Sequence, residues 1–121
     1  MDTALNVLGT KLEICGCEPM TGWRRDGFCH TDITDNGMHT VCCVVTDDFL
    51  EFSKQSGNDL STSRPEYNFK GLSAGDHWCL CAGRWLEAYK SGRACTVDLA
   101  ATHEETLAVI PLKYLQELAI K

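Results

Sequence analysis

The apolar positions of the chain predict a short sheet built from stretches that are far apart in sequence. Residues 41–45, VCCVV, are apolar at every position, which is typical of a strand covered on both faces. Residues 12–15, 78–82 and 96–99 show the alternation of further short strands. The residues that build the sheet are therefore brought together from most of the length of the chain.

Helices are predicted where apolar residues recur with a period of 3.6 and where capping residues precede them. The first helix begins after Thr46 and ends at Gly57. In the third, Thr102 and Glu105 form a capping box, and Pro111 bends or restarts the helix. The second helix carries an apolar stripe formed by Ala82, Trp85, Leu86 and Tyr89.

Two long, turn-rich stretches, from residue 16 to about 40 and from 57 to 76, interrupt these elements. We therefore predict one domain over residues 1–121 of the α+β class, a small two-layer domain with a short mixed sheet, about three helices and two long loops. Two strand–helix–strand steps would make part of the sheet parallel. Long loops in a compact domain are often functional.

The net charge of the chain limits the classes of partner that we expect. The chain has a net charge of -6, with 17 acidic and 11 basic residues, which disfavours nucleic acid and anionic membrane surfaces. No apolar stretch approaches the roughly 20 residues of a membrane span, and the start of the chain does not resemble a secretory signal. We therefore expect a cytoplasmic protein whose eight cysteines are reduced. We expect five of them to be mostly buried: Cys15, Cys29, Cys42, Cys79 and Cys81.

The cysteines raise a question about metal binding. Paired zinc ligands usually have two residues between them, and the chain has no such CxxC pair. A zinc site would have to combine single ligands from distant positions. Zinc is therefore kept as an alternative to a protein without a cofactor. The candidate metal ligands are Cys15, Cys29, Cys42, Cys79 and Cys81.

A second interpretation gives the thiols a chemical role. Cys79 and Cys81 share one face of their predicted strand. Cys81 lies where that strand turns into a helix, and a helix N-terminus favours a thiolate. His39 or His77 would serve as the base if the fold brings either of them near. A third interpretation remains open, in which these cysteines are inert and pack as small apolar residues.

The two long loops carry polar residues suited to a small polar or anionic ligand. In one interpretation, both loops converge on a single pocket. In the other, Asp and Asn merely brace turns through their side chains. His103, the first residue after the predicted Thr102 cap, is expected at the surface. The candidate ligand-binding residues are Arg25, Asp26, Asp35, His39, Asn58 and Asp59.

Several short motifs carry a family resemblance. CGCEPMTGW, RDGFCH, DNGMHTVC, GNDLST, FKGLSAGD, WCLCAGRW and ATHE follow one another in this order over nearly the whole chain. Together they resemble DUF2237, a bacterial and plant family of unknown function, and this implies a small two-layer α/β domain but no catalytic role. Cys17, Cys43 and Cys95 depart from the family's pattern. Its cysteine and histidine positions are matched by Cys15, Cys29, Cys42, Cys79, Cys81, His39 and His103.

Three functional hypotheses follow. The first is a ligand-binding module with a polar pocket formed by the two loops beside a cysteine-rich strand face. The second is a thiol-dependent or metal-assisted enzyme that uses Cys79 or Cys81 with His39. The third is a structural zinc-binding protein that interacts with other proteins. The sequence does not decide whether the protein is an enzyme.

Overall fold

The α+β fold predicted from the sequence is confirmed by a computed structural model, which describes residues 4–16, 21, 27–31, 35, 38–62 and 71–120. None of the helices in these ranges has the length and apolarity that a membrane span requires. In chain order the elements are β1 His39–Val44, α1 Asp47–Gln55, β2 His77–Cys81, α2 Ala82–Lys90, β3 Thr96–Val97, the 3₁₀ helices Leu99–Ala101 and Glu104–Ala108, and α3 Leu112–Glu117.

The sheet has the order β2-β1-β3, with β1 at its centre. Both neighbours pair with β1 antiparallel, so neither predicted strand–helix–strand step produces a parallel neighbour. The strands joined by α2 are not adjacent, because β1 lies between β2 and β3. Within the described ranges, the parallel pairing is an isolated bridge between Val97 and Ala119.

The strand predicted at residues 12–15 is not formed. Lys11 makes an isolated bridge with Leu5. The backbone N–H groups that follow donate to separate partners, Glu13 to the carbonyl of Ala100 at 3.0 Å and Cys15 to that of Gly27 at 2.7 Å. This segment satisfies its hydrogen bonds on irregular backbone rather than on a neighbouring strand, and the alternating pattern alone does not reveal that difference.

The sheet separates two buried layers because side chains alternate along β1. Val41 and Cys43 enter the main core, where they lie with Phe49 of α1 and Trp85 of α2. Cys42 points to the opposite face. There it lies in a smaller buried cluster that contains Cys15, Cys29, Cys42, Cys79 and Ala101.

Four of these cysteines form disulfides, Cys15 with Cys42 and Cys29 with Cys79. The prediction of reduced cysteines is therefore wrong for these four, because the fold brings together residues that are 27 and 50 positions apart. Closing loops of this length lowers the conformational entropy of the unfolded chain. Each disulfide thereby stabilises the folded state by roughly 3–4 kcal/mol. The predicted burial is confirmed for the four, whereas Cys81 is half-buried.

The predicted start of α1 is confirmed. The hydroxyl of Thr46 accepts a hydrogen bond from the backbone N–H of Phe49 at 3.1 Å. Asp47 and Asp48 occupy the first turn, where the helix dipole favours negative charge. Local capping chemistry therefore sets this boundary without help from distant residues.

The predicted capping box at Thr102 is wrong. The cap is His103, whose Nδ1 accepts a hydrogen bond from the N–H of Glu105 at 3.0 Å, and the segment that follows is a 3₁₀ helix. His103 is buried rather than exposed. The hydroxyl of Thr102 is already engaged, since it accepts from the N–H of Cys42 at 3.1 Å and donates to the carbonyl of Asp98 at 2.8 Å.

The Thr102→Val substitution tests this second role. It keeps the shape of a fully buried side chain but leaves the N–H of Cys42 without an acceptor. We expect the free energy of unfolding to fall by about 1–3 kcal/mol, measured by urea denaturation with the disulfides intact. Thr96→Val is the matched control, because the Thr96 hydroxyl makes only a long 3.5 Å bond to Val44. Equal losses in both variants would contradict this role for Thr102.

Candidate functional site

An irregularity in the pairing of β1 with β2 determines which residues meet at the end of the sheet. Cys42 lies opposite Cys79, but the register shifts between His39 and Val41, so that His39 lies opposite Cys81. One extra residue on one strand is the signature of a β-bulge, and residues directly opposite across a pair share a face. The bulge therefore places an imidazole beside a half-buried thiol.

Asp35 fixes the orientation of the His39 ring. The Asp35 side chain is fully buried, and its Oδ1 lies 2.6 Å from Nδ1 of His39. Its Oδ2 accepts from the backbone N–H of His39 at 2.9 Å and from the hydroxyl of Thr31 at 3.1 Å. Because the carboxylate engages Nδ1, the ring nitrogen that can serve Cys81 is Nε2.

The surroundings raise the pKa of His39 from its usual value of 6.5 to about 9. The largest cause is a hydrogen bond with the Cys81 side chain. Burial opposes the rise, and the hydrogen bond and negative charge of Asp35 add to it. The imidazole is therefore protonated at neutral pH. Asp35, His39 and Cys81 form a continuous polar chain from a buried carboxylate to a thiol.

Cys81 is the last residue of β2 and the N-cap of α2. The first N–H groups of a helix have no acceptor within the helix, and the helix dipole places partial positive charge there. The N–H of Ala82 is satisfied by the carbonyl of Met38 at 3.0 Å, and no acidic residue lies in the first turn. The N-terminus of α2 therefore stabilises negative charge near the Cys81 sulfur.

Met38 lies at the same junction in an uncommon conformation. Its φ of 49° is in the left-handed region, which a non-glycine residue seldom adopts. Its carbonyl also accepts from the N–H of Thr40 at 2.7 Å. Strained backbone of this kind persists where the surrounding structure imposes it, and it is concentrated at functional sites. Here it precedes the strand residue that carries the imidazole.

A cavity of about 520 Å³ opens beside the thiol. Arg84 and Glu87, which pair at 3.3 Å, are its charged residues, while the rest of its wall is mainly apolar. Its volume falls in the range of small-molecule sites. The cavity is lined by Met38, Cys81, Ala82, Gly83, Arg84, Glu87 and Val109.

The thiol at the cavity differs from the other free cysteines in the described ranges. Cys43 and Cys95 are fully buried in the core. A hydrogen bond with the Cys95 side chain and burial raise the pKa of the Cys43 thiol well above its usual value, so it stays neutral. Cys79, the other predicted nucleophile, is held in a disulfide. Cys81 is therefore the accessible thiol among the cysteines that the structure describes.

The cysteine candidates for a metal lie elsewhere. On the face of the sheet opposite the main core, the sulfurs of Cys15, Cys29 and Cys79 lie within 4.8 Å of one another. A second group, Cys15, Cys42 and a ring nitrogen of His77, meets the same limit. Among the residues described, Cys81 belongs to neither group.

Residues of the second loop stabilise their own turn. The side chain of Asp59 accepts hydrogen bonds from Ser61 and Thr62. These bonds, chiefly that of the Thr62 hydroxyl, lower the pKa of Asp59 to about 2. The backbone N–H of Asn58 donates to the carbonyl of Ser53 at 2.8 Å. The contacts of Asp59 are those expected if an aspartate side chain braces a turn, whereas the bond of Asn58 is made by its backbone.

The structure describes only some of the residues that were predicted to line a polar pocket. Asp35 and His39 do lie together, but neither they nor Asn58 and Asp59 line the described cavity. Arg25 and Asp26 lie outside the described residues. Convergence of the two loops on one pocket therefore stays a prediction.

Sequence reasoning missed most of the cavity wall. Arg84 and Glu87 are three residues apart on α2, so their pairing follows from helical spacing. Met38 and Val109 reach the cavity from segments far apart in the chain. No local signal in the sequence marks either of them as part of a site.

The motif resemblance is confirmed by comparison with protein families. Residues 5–119 match the family described as "Uncharacterized protein conserved in bacteria (DUF2237)". No curated protein is significantly similar to the chain. The match covers nearly the whole sequence, including every residue of the described site. The chain belongs to the DUF2237 family.

Proposed function

We propose that this protein is a thiol-dependent enzyme that transfers or hydrolyses a small acyl group at Cys81. The observation that carries the proposal is the chain of polar contacts from the buried carboxylate of Asp35 through His39 to the Cys81 thiol. A nucleophile, a base and a third group that orients the base are the common elements of nucleophilic catalysis. The adjoining cavity supplies room for a substrate.

In the proposed first step, His39 holds the proton of Cys81, and the sulfur attacks the carbonyl carbon of an ester or thioester. A carbon–sulfur bond forms, the bond to the leaving group breaks, and the imidazolium gives its proton to the leaving oxygen or sulfur. The protonated state of His39 at neutral pH suits this role as an acid. The first-turn N–H groups of α2 beyond that of Ala82, which is bonded to the Met38 carbonyl, favour the negative charge that develops on the carbonyl oxygen.

In the second step, water or another nucleophile attacks the S-acyl intermediate. His39, now neutral, takes a proton from the attacking group and returns it to the departing sulfur, so the free thiol is regenerated. Asp35 does not contact the substrate in this scheme. It is a positioning residue that holds the ring in one tautomer and stabilises the imidazolium.

The cavity wall suggests the class of substrate. Met38, Ala82 and Val109 favour a short apolar acyl group. Arg84 favours a carboxylate or another anionic group, although its guanidinium also donates to the carbonyl of Ser56 at 3.1 Å and pairs with Glu87. A small acyl compound with one anionic end therefore fits this wall best.

Two other hypotheses depend at least in part on residues outside the proposed enzyme site. A ligand-binding module formed by the two loops depends on Arg25 and Asp26, which the structure does not describe. A zinc-binding interaction protein would use the buried sulfurs rather than Cys81. The predicted cytoplasmic location also remains a proposal, and the disulfides favour an oxidising compartment instead.

A small activated ester, 4-nitrophenyl acetate, tests the nucleophile directly. We expect a burst of one 4-nitrophenol per chain and, in peptide mass spectrometry, an acetyl group on Cys81. The Cys81→Ser variant should lose the burst, and His39→Gln should slow it by roughly 100-fold or more, because the group that transfers the proton is gone.

Two control variants separate catalysis from folding. Cys43→Ala removes a fully buried free thiol, and His77→Gln removes a histidine at the other end of β2. Both should keep the burst if they retain the disulfides and the wild-type circular dichroism spectrum. An unchanged burst in a folded Cys81→Ser protein, or acetyl groups mainly on another residue, would contradict the proposal.

The pKa of His39 also predicts how stability changes with pH. The pKa rises from 6.5 to about 9 on folding, so the stabilising contribution is complete below about pH 6.5 and is lost as pH rises through about 9. The difference in unfolding free energy between wild type and His39→Gln should therefore be larger at about pH 6 than at about pH 10. Urea denaturation at both pH values measures it. A difference independent of pH would contradict the raised pKa.

A further inference from the structure

The geometry points to a second site on the face of the sheet opposite the main core: when both disulfides are reduced, the sulfurs of Cys15, Cys29, Cys42 and Cys79 bind one zinc ion, with His77 supporting a ligand sulfur. This site does not depend on the proposed function at Cys81. It gives the buried cysteines two stable states, a pair of disulfides and a metal site.

The first observation is the packing of the four sulfurs. Cys15 is bonded to Cys42, and its sulfur also lies within 4.8 Å of the sulfurs of Cys29 and Cys79. Two separate structural disulfides need no such proximity. Here the bonds lie side by side, because Cys42 and Cys79 are directly opposite one another in the sheet.

The second observation is that the distances are close to those of a zinc site. With zinc–sulfur bonds of about 2.3 Å, tetrahedral ligands lie about 3.8 Å apart. Sulfurs now within 4.8 Å would approach by about 1 Å, and those joined in each disulfide would separate by less than 2 Å. Rotation of the side chains supplies shifts of this size, so the strands keep their positions.

The third observation is an unsatisfied polar atom. Nδ1 of His77 is buried and has no hydrogen-bond partner, and it is the one such side-chain atom in the described residues. A buried polar group without a partner usually marks a missing ligand, ion or water. A ring nitrogen of His77 lies within 4.8 Å of the sulfurs of Cys15 and Cys42. An N–H group there can donate to a zinc-bound thiolate, a contact that typically strengthens metal sites.

The change between the two states balances chemically. A dithiol or phosphine reductant gives two electrons to each disulfide, and two protons complete the pair of thiols. Zinc then replaces the protons of the four thiols. In the opposite direction, each of two hydrogen peroxide molecules takes two electrons and two protons and becomes two waters, the disulfides return, and zinc is released.

Burial explains why the same four residues serve both states. All four are buried, with exposed fractions of 5% or less. Four unpaired thiolates in such a place would be unstable, so reduced sulfurs there either keep their protons or share a cation, and the oxidised sulfurs are bonded to one another. The outer thiol, Cys81, lies outside the cluster and has His39 as its partner. Zinc binding should therefore leave Cys81 unchanged.

The test uses the whole chain, reduced with a phosphine that is then removed, and given zinc or cobalt(II) in the absence of air. Native mass spectrometry should show one zinc ion per chain. Cobalt(II) should give the intense near-ultraviolet absorption of thiolate ligands. The oxidised protein should bind neither ion, and addition of hydrogen peroxide to the zinc form should release the metal as both disulfides form again.

Variants assign the ligands. Cys79→Ser should abolish stoichiometric binding, and Cys81→Ser should keep it, although the two cysteines are only two residues apart on β2. His77→Gln should weaken zinc binding by about 10–100-fold while the cobalt spectrum keeps its thiolate bands. If the reduced chain unfolds, zinc should restore the folded circular dichroism spectrum.

The proposal is overturned if the reduced wild type takes up no zinc and zinc does not restore its fold. It is also overturned if Cys79→Ser binds as tightly as the wild type. Loss of binding in Cys81→Ser together with retention in Cys79→Ser would place the metal at the proposed enzyme site instead. The acetylation burst is measured on the oxidised protein, so each proposal can fail without the other.

Discussion

The register between β1 and β2 is the constraint on which both chemical sites depend. It places Cys42 opposite Cys79 in the middle of the sheet, and the bulge that follows places His39 opposite Cys81 at its end. A slip of one residue would turn every side chain of a strand to the other face. The disulfides would then lose their partners, and the imidazole would no longer meet the thiol.

The alternation of β1 also explains why chemically identical thiols differ in behaviour. Cys43 enters the apolar core, where a hydrogen bond with Cys95 and burial raise the pKa of its thiol and keep it neutral. The side chain of its neighbour Cys42 lies in the opposite layer, where it forms a disulfide with Cys15. Cys81 lies at the end of β2, half-buried, beside a protonated imidazole and the start of a helix. Position on the sheet, rather than residue type, decides the chemistry of each one.

What the sequence predicts well is set by local interactions. The apolar run at 41–45 and the Thr46 cap correspond to β1 and to the start of α1, because a strand pattern and a capping hydroxyl act within a few residues. Thr102 misleads for the same reason. It has the local signature of a cap, but its hydroxyl is engaged by Cys42, which is 60 residues away in the sequence. Competition from a distant partner leaves no trace in a local pattern.

The candidate site is predictable only as a set of residue types. His39 and Cys81 are recognisable as a base and a nucleophile. Their contact, however, depends on a bulge that the residues of β1 and β2 do not predict. Asp35 is four residues before His39 in a turn-rich segment, and DNG indicates only a turn. The cysteine pairing depends on the same long-range register, so no pattern within a few residues reveals it.

The disulfides and the proposed enzyme site are connected through one segment, residues 29–42. Cys29 and Cys42 form its two ends, and each is tied to a different partner, Cys79 and Cys15. Asp35 and His39 lie between them. Fixing both ends of a loop reduces the number of conformations open to it. The buried Asp35–His39 contact therefore forms at a smaller cost in conformational entropy. If zinc binds the same four sulfurs, as we propose, it would hold the same two ends and restrain the imidazole as the disulfides do, whereas the reduced, metal-free chain would lack both restraints.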